Sequence, residues 1–411
     1  FWRQAIQDIQ PVSDYEVVFR FKRPDGNFLD YVSDQLGGYE IWSKKNFDQT
    51  GPPTNLTMPA LAGTGSYQYK ERTQGQFVRF EAVPYQHWRH NPDFKEFEFR
   101  WIKEASTRIA ALLAGEVHMA ALPQDLEAQA ERAGMKTFAG KVPGYRVFVQ
   151  FYCCAMKDRN NDQSGWMEPQ GPLADTKVRR ALAKAVNLNE LNKSFFAGKG
   201  AIMYNNPLDP SRRGWKEEWK TKFQDEYGFD PEAAKKLLAE AGFGPNNPMK
   251  TSMVLSTATG LSASDDIAES VAAYWRSIGV DVALEQLDGP TLTSQTRAYK
   301  LLNAARVNGT SSNAWVGITQ FGSTAGTPSS AGPQDPKADN LLKQIWTTLD
   351  EKKIDDLWTQ AGDAMYYGHH FVPLFSLPTE INANPQIVAD YPFCGCISGS
   401  WLHVEYIKAA K

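Results

Sequence analysis

The sequence predicts an α/β protein of two lobes, built from mixed sheets flanked by helices. Three observations carry that expectation. The chain has 411 residues, well beyond the roughly 100–200 of an average domain. Its apolar residues recur with a period of two in some segments and at helical spacing in others. In two separate stretches those segments alternate as strand, helix and strand, the signature of an α/β layer.

Taken in order, Val17, Phe19 and Phe21 alternate with Val18, Arg20 and Lys22, and the same period returns in Phe77 to Phe80 and in Phe97 to Trp101. These are strands with one buried face. From Ala105 the spacing of Ile109, Leu112 and Leu113 predicts a helix ended by Gly115, followed by a short strand at Val117 to Met119 and a helix from Asp125 to Ala133. Arg146 to Tyr152 is β-prone, and a polar, glycine-bearing loop follows over 157–171. Asp175 caps a helix carrying Val178, Ala181, Leu182 and Ala185, and Asn189 opens another. Asp230-Pro231-Glu232 joins an N-cap, a proline at the first helical position and an acid in the first turn; Gly242 ends that helix. A strand over 251–256, a helix over 264–278 and a strand over 280–286 form the second alternating unit. Gly, Ser, Thr and Pro dominate 308–336, which predicts irregular structure. Helices over 341–349 and 354–367 and a strand over 371–375 complete the pattern.

Composition narrows the function. Hydrophobic residues at 42% and charged residues at 22% are those of a globular protein. With 44 basic against 47 acidic residues, no broad basic field exists to hold nucleic acid or anionic lipid. Aromatic residues at 12% suit a large apolar pocket as well as several cores. No apolar stretch reaches the about 18–20 residues of a membrane span. Phe1 is not preceded by a leader pattern, so any export signal is expected to have been removed or to lie outside the chain.

Four cysteines occur, Cys153-Cys154 and Cys394-Gly395-Cys396. They admit one or two bridges between the middle and the end of the chain, buried free thiols, or a four-thiolate metal site, although adjacent cysteines lack the spacers of zinc knuckles. No metal and no cofactor is expected.

Several segments resemble, in order, the extracellular solute-binding proteins of family 5, which include dipeptide-, oligopeptide- and nickel-binding receptors of ABC importers. They are Gly63-Thr64-Gly65-Ser66-Tyr67, Trp88 with Asn91-Pro92, and Leu113-Ala114-Gly115-Glu116-Val117. Asp175-Thr176-Lys177-Val178-Arg179-Arg180-Ala181-Leu182, Leu237 to Phe243, Trp275 to Val280, and Val372-Pro373-Leu374 continue the match. The sequence departs from the family in lacking a stretch of residues before Phe1 and in carrying His118 where the family has Asp; His118 is expected to be structural.

The resemblance implies a two-lobed periplasmic-binding-protein-like fold, type II, cluster C, with hinge strands between lobes. Lobe I is expected over 1–150 and 376–411, incomplete at its N-terminus, and lobe II over 151–375. The crossings fall near Gln150-Phe151 and Leu374-Phe375. It further implies a monomer that captures a small polar solute, peptide or sugar-like, by hinge closure, works with an ABC permease, and resides in the periplasm or outside the cell, associated with the membrane through the permease or a lipid anchor. Peptide-binding members place an acid near a tryptophan in the second lobe to pair with the ligand's ammonium group. Aligning Arg297 and Arg306 with basic residues of that region puts Gly309 at the tryptophan and Ser312 at the acid. A buried ammonium without a counter-charge costs several kcal/mol, so neutral groups on Asn308, Thr310, Ser311, Ser312 and Asn313, with Trp315 beside them, suit an uncharged polar ligand. Arg306 either meets a ligand carboxylate or braces the lobe. The expected ligand-binding residues are thus Arg297, Arg306, Asn308, Ser312, Asn313 and Trp315.

Two other classes compete. A hydrolase finds no G-x-S-x-G, H-E-x-x-H or P-loop motif. The pair His369-His370 cannot serve one metal from a regular strand, whose neighbouring side chains diverge, and Asp265-Asp266 and Asp355-Asp356 sit in helical contexts as caps or solvated faces. A peptide-binding chaperone or sensor would use the same fold.

Overall fold

A computed structural model describes residues 6–25, 28, 32, 41–51, 62–158, 161, 163–206, 208–258, 261–311, 335–392, 401 and 403–411. The strands are β1 (Ile6–Ser13), β2 (Glu16–Phe21), β3 (Tyr67–Thr73), β4 (Phe77–Ala82), β5 (Glu96–Arg100), β6 (Met119–Ala120) and β7 (Lys136–Tyr152). After these come β8 (Ala201–Ile202), β9 (Lys250–Leu255), β10 (Asp281–Gln286), β11 (Ala304–Ser311), β12 (Phe371–Ala383), β13 (Val388–Asp390) and β14 (Lys408–Ala409). Two compact units result: a larger one of Phe1–Tyr31 and Tyr145–Leu377, and a smaller one of Val32–Gly144 and Pro378–Lys411.

The larger unit is organised by a sheet in the order β10-β9-β11-β7-β12, with β8 on β12. β9 runs parallel to both β10 and β11. Parallel neighbours need a crossover, and the helix Ser264–Ser277 supplies the one between β9 and β10. β11 pairs antiparallel with β7 through eight consecutive residues, from Ala304 opposite Tyr152 to Ser311 opposite Tyr145. The C-terminal part of β7, Val147 to Tyr152, is buried throughout and apolar except for Gln150. The main core joins Val149, Phe151 and Val307 to Ile267, Val271 and Trp275 of that helix. Trp275 stacks on Phe151 and donates its indole N–H to the Leu182 carbonyl at 2.9 Å. On the other face Tyr152, Val254 and Ala304 meet Leu287, Leu292 and Leu301.

The smaller unit contains the antiparallel meander β3-β4-β5, the pair β13-β14, and β6 against Asn382 and Ala383 at the end of β12. One core gathers Phe138, Ile381, Val388, Tyr391 and Ile407. Another holds Ile109, Leu112, Leu122 and Ala130 beneath the helices Ala105–Leu113 and Gln124–Arg132.

Most local expectations match. The Asp230 carboxylate accepts from the Ala233 amide at 2.9 Å, Pro231 opens that helix, and Gly242 has φ 88°. Three differ. Asn187, not Asn189, caps the helix Leu188–Phe196, its side chain accepting from Glu190 N at 3.2 Å. The segment expected to be irregular from Asn308 begins as strand, because Asn308 to Ser311 complete the ladder with β7, a long-range pairing that local propensity does not register. β7 and β12 also run far beyond their predicted 146–152 and 371–375.

His369 and His370 lie between a helix and β12, with His369 at φ 46°, so the regular-strand argument against a shared metal is replaced by a geometric one. Nε2 of His369 meets Glu226 at 3.2 Å, while Nε2 of His370 meets Asp335 at 2.8 Å. Asp335 also caps the helix Pro336–Thr347 by accepting from Lys337 N and Ala338 N. Arg179 and Arg180 add positive charge to this neighbourhood. Burial pushes both imidazoles below their ordinary 6.5, His369 to about 4, despite the adjoining carboxylates.

Two outcomes follow from this packing. Removing the Trp275 ring in Trp275→Ala empties a fully buried site and costs about 3–5 kcal/mol in denaturant unfolding. A histidine depressed in the folded state binds its proton more readily when unfolded, so its contribution is fully present above pH 6.5 and is lost as pH falls toward about 4. The melting temperature should therefore decline across that window, and His369→Gln, which keeps a neutral donor toward Glu226, should flatten the decline.

Candidate functional site

β9, β10 and β11 point the same way, and in open α/β sheets the carboxyl ends of parallel strands are where ligands are received. Two residues identified from sequence meet there. Arg306 and Asn308 are alternate residues of β11, so they share one face while Ala305 and Val307 enter the core. The Arg306 guanidinium donates through Nη2 to the Ser256 carbonyl at 2.8 Å, through Nε to the same oxygen at 3.3 Å, and through Nη1 to Asn308 Oδ1 at 3.4 Å. Asn308 in turn donates to Gln150 Oε1 at 2.9 Å and accepts from the Gly309 amide at 2.9 Å. The buried Tyr152 hydroxyl bonds with Thr296 and Arg306, and burial raises its pKa.

The result is a half-buried cation held by neutral oxygens. Among the described residues no carboxylate lies within ion-pair distance of Arg306. Partial exposure distinguishes it from Arg146, which is wholly buried, donates to Asn206 Oδ1 at 2.5 Å and is pushed down to about 9 by desolvation. It also differs from Arg179, 2% exposed, whose donors are spent on the carbonyls of Leu173, Ala174, Gly368 and His369.

Arg297 is not brought into this network. It is exposed in the last turn of the helix Gly289–Arg297, on an open depression with Gly289, Pro290, Thr293 and Ser294. Its buried neighbour Thr296 is the residue that this turn offers to Tyr152. Ser312, Asn313 and Trp315 lie outside the described residues, as do Cys394 and Cys396. At Gly309, aligned above with a tryptophan, an added Cβ would sit 2.3 Å from the Tyr145 hydroxyl. Tyr145 therefore fills that space, and burial raises its phenol to about 12.

Sequence reasoning missed Gln150, Ser256, Tyr145 and Tyr152 as parts of the site. Gln150 did leave a signal, being the one amide in the apolar run from Val147 to Tyr152. Ser256 left none, since it contributes only its carbonyl. The smaller unit has a cavity of about 730 Å³ lined by Phe97, Phe99, Ile102, Met119 and Trp401. Its charged rim is internally paired, Arg79 with Glu71 and Glu98 and Arg100 with Glu98, and the His118 carbonyl there accepts from Asn384 N at 2.9 Å.

Residues 1–330 match the family described as "Bacterial extracellular solute-binding proteins, family 5 Middle", and the chain belongs to that family. It is 24% identical over 306 residues to the oligopeptide-binding protein AppA of Bacillus subtilis (strain 168), covering 71% of this chain and 52% of that protein. To the dipeptide-binding protein of Escherichia coli (strain K12) it is 26% identical over 284 residues, covering 68% and 49%. The chain thus spans about half the length of these relatives. A crystal structure of NikA from Brucella suis in complex with Fe(III)-EDTA superposes with a TM-score of 0.79 at 18% identity, covering 99% of this chain and 79% of that one. The expected family and two-lobed fold are thereby confirmed. These relatives are binding proteins, and they lend no support to a hydrolase or to a sugar-like ligand. Among the described residues no helix is long and apolar enough to cross a membrane.

Asn308→Ala should lower unfolding free energy by about 1–2 kcal/mol, because it strands Gln150 Oε1 and loosens Arg306. Urea denaturation measures this directly.

Proposed function

We propose that this chain forms part of the capture subunit of an ABC importer and takes a small ligand bearing a carboxylate, a peptide or a related molecule such as a metal chelate. The observation that carries the reading is Arg306, a half-buried guanidinium steadied by Ser256 and Asn308 and given no carboxylate among the described residues. A planar guanidinium fits a carboxylate with two parallel hydrogen bonds. Support also comes from the chemistry of the ligands that the relatives' names state: peptides end in a carboxylate, and EDTA carries several. Arg297, Ser312, Asn313 and Trp315 complete the proposed ligand-contacting set. Serine at 312 provides no counter-charge for an ammonium group, which favours ligands recognised at their acidic end. The subunit is monomeric, works outside the cytoplasmic membrane and passes its ligand to a permease; it needs no cofactor and carries out no reaction.

Thermal melting with peptides, their C-terminally amidated forms and Fe(III)-EDTA tests the reading, since a ligand that binds only the native state raises the melting temperature with its concentration. Free acids should stabilise the protein and amides should do so far less; equal stabilisation by acids and amides would sink it. Arg306→Gln should weaken binding of the free acid at least about 10-fold, the worth of a charge-assisted bond of ~1.5–3 kcal/mol. Asn308→Asp places an internal carboxylate beside Arg306, so calorimetry should record weaker binding of acidic ligands with little loss of melting temperature.

A further inference from the structure

β7 leads directly into Cys153-Cys154, both 4% exposed. Neighbouring side chains of a strand point to opposite faces, which would hold the two thiols apart. Here Cys154 has φ 60°, in the left-handed region that residues other than glycine seldom enter. That turn brings Cys154 Sγ to 2.7 Å from Cys153 Sγ. The separation is well inside ordinary contact between two sulfurs, and both cysteines are free thiols in this structure. Adjacent Cα atoms are about 3.8 Å apart across a trans peptide, nearer than in most bridges, so only an unusual backbone aims two consecutive sulfurs at each other. A backbone outlier of this kind persists where its surroundings hold it. Asn303 N donates to the Tyr152 carbonyl at 2.7 Å on one side, and Arg179 Nη1 stands 3.8 Å from Cys154 Sγ on the other. No group of metal-ligating side chains occurs among the described residues to explain the paired thiols otherwise.

We propose that Cys153 and Cys154 are a site of disulfide modification, bonding to each other across their shared peptide rather than to the cysteines near the C-terminus. During folding the exchange can open from either thiol; in the folded protein Cys154 is the more acidic of the two. Contact with the Cys153 thiol, and then the Arg179 guanidinium, hold Cys154 below the usual thiol range, while burial pushes Cys153 up. In the route that opens at Cys154, its thiolate attacks one sulfur of a disulfide-exchanging oxidant such as oxidised glutathione and releases one glutathione thiolate. Cys153 then attacks the Cys154 sulfur of the mixed disulfide, its proton passing to solvent, and the second glutathione leaves. The two cysteines lose two electrons and two protons, and oxidised glutathione becomes two thiols. Because both sulfurs are buried in the finished fold, exchange takes place during folding. The bond secures the turn that follows Tyr152, and Tyr152 bonds with Arg306.

The test refolds the reduced, full-length chain in a glutathione redox buffer, then denatures it with an alkylating agent and no reductant. Trypsin releases Cys153 and Cys154 together on the peptide Val147–Lys157, and Cys394 and Cys396 on Ile354–Lys408. Mass spectrometry should find the Val147–Lys157 peptide unalkylated and two hydrogens lighter than its dithiol form. Prior reduction should then add two alkyl groups. Double alkylation without reductant, a persisting glutathione adduct, or linkage to the peptide carrying Cys394 and Cys396 would each overturn the proposal. No substitution is needed, so a folding defect cannot obscure the result.

Discussion

The antiparallel ladder between β11 and β7 sets the geometry of the larger unit. Because side chains alternate along a strand, its register decides which half of β11 enters the apolar core and which half faces away from it. With Ala305 opposite Phe151 and Val307 opposite Val149, the small and branched residues enter the core. Arg306 then falls opposite Gln150, and Asn308 reaches the same amide. A slip of one residue would bury a guanidinium and expose two valine- and alanine-sized apolar groups, a cost large enough to hold the register.

The surrounding polar groups follow from the same economy of desolvation. Arg179 is buried and neutralises no carboxylate directly; instead it gathers carbonyl oxygens from Leu173, Ala174, Gly368 and His369, tying the start of one helix to the end of another. His369 and His370 each take a separate carboxylate, so the adjacent pair serves packing in two directions. Against this saturated background Arg306 stands out. Its partners are neutral like those of Arg179, but it alone of the two retains access to solvent, so an anionic group could reach it where Arg179 is closed off.

Much of the fold was legible because local signals coincide with local structure. Asp175 and Asp230 accept hydrogen bonds from amides in the first turns of their helices, and the strand, helix, strand spacing of 250–286 reproduces itself as β9, Ser264–Ser277 and β10. Errors arose where a partner far along the chain decides the outcome. Asn308 to Ser311 have the composition of a loop but are strand because β7 pairs with them. Of the readings left open for the cysteines, Cys153 and Cys154 are buried free thiols, while Cys394 and Cys396 lie outside the described residues.

The candidate site divides in the same way. Sequence alone determined the class of the fold, the family resemblance, and the presence of Arg306 and Asn308 two residues apart on one strand face, since periodicity and motif order are written along the chain. Tertiary structure alone decided that Ser256, Gln150 and Tyr152 surround Arg306 and that Arg297 turns outward on its helix. The physical reason is that hydrogen-bond partners and screening depend on which distant segments a strand meets, and a backbone carbonyl such as that of Ser256 has no side-chain signature to read.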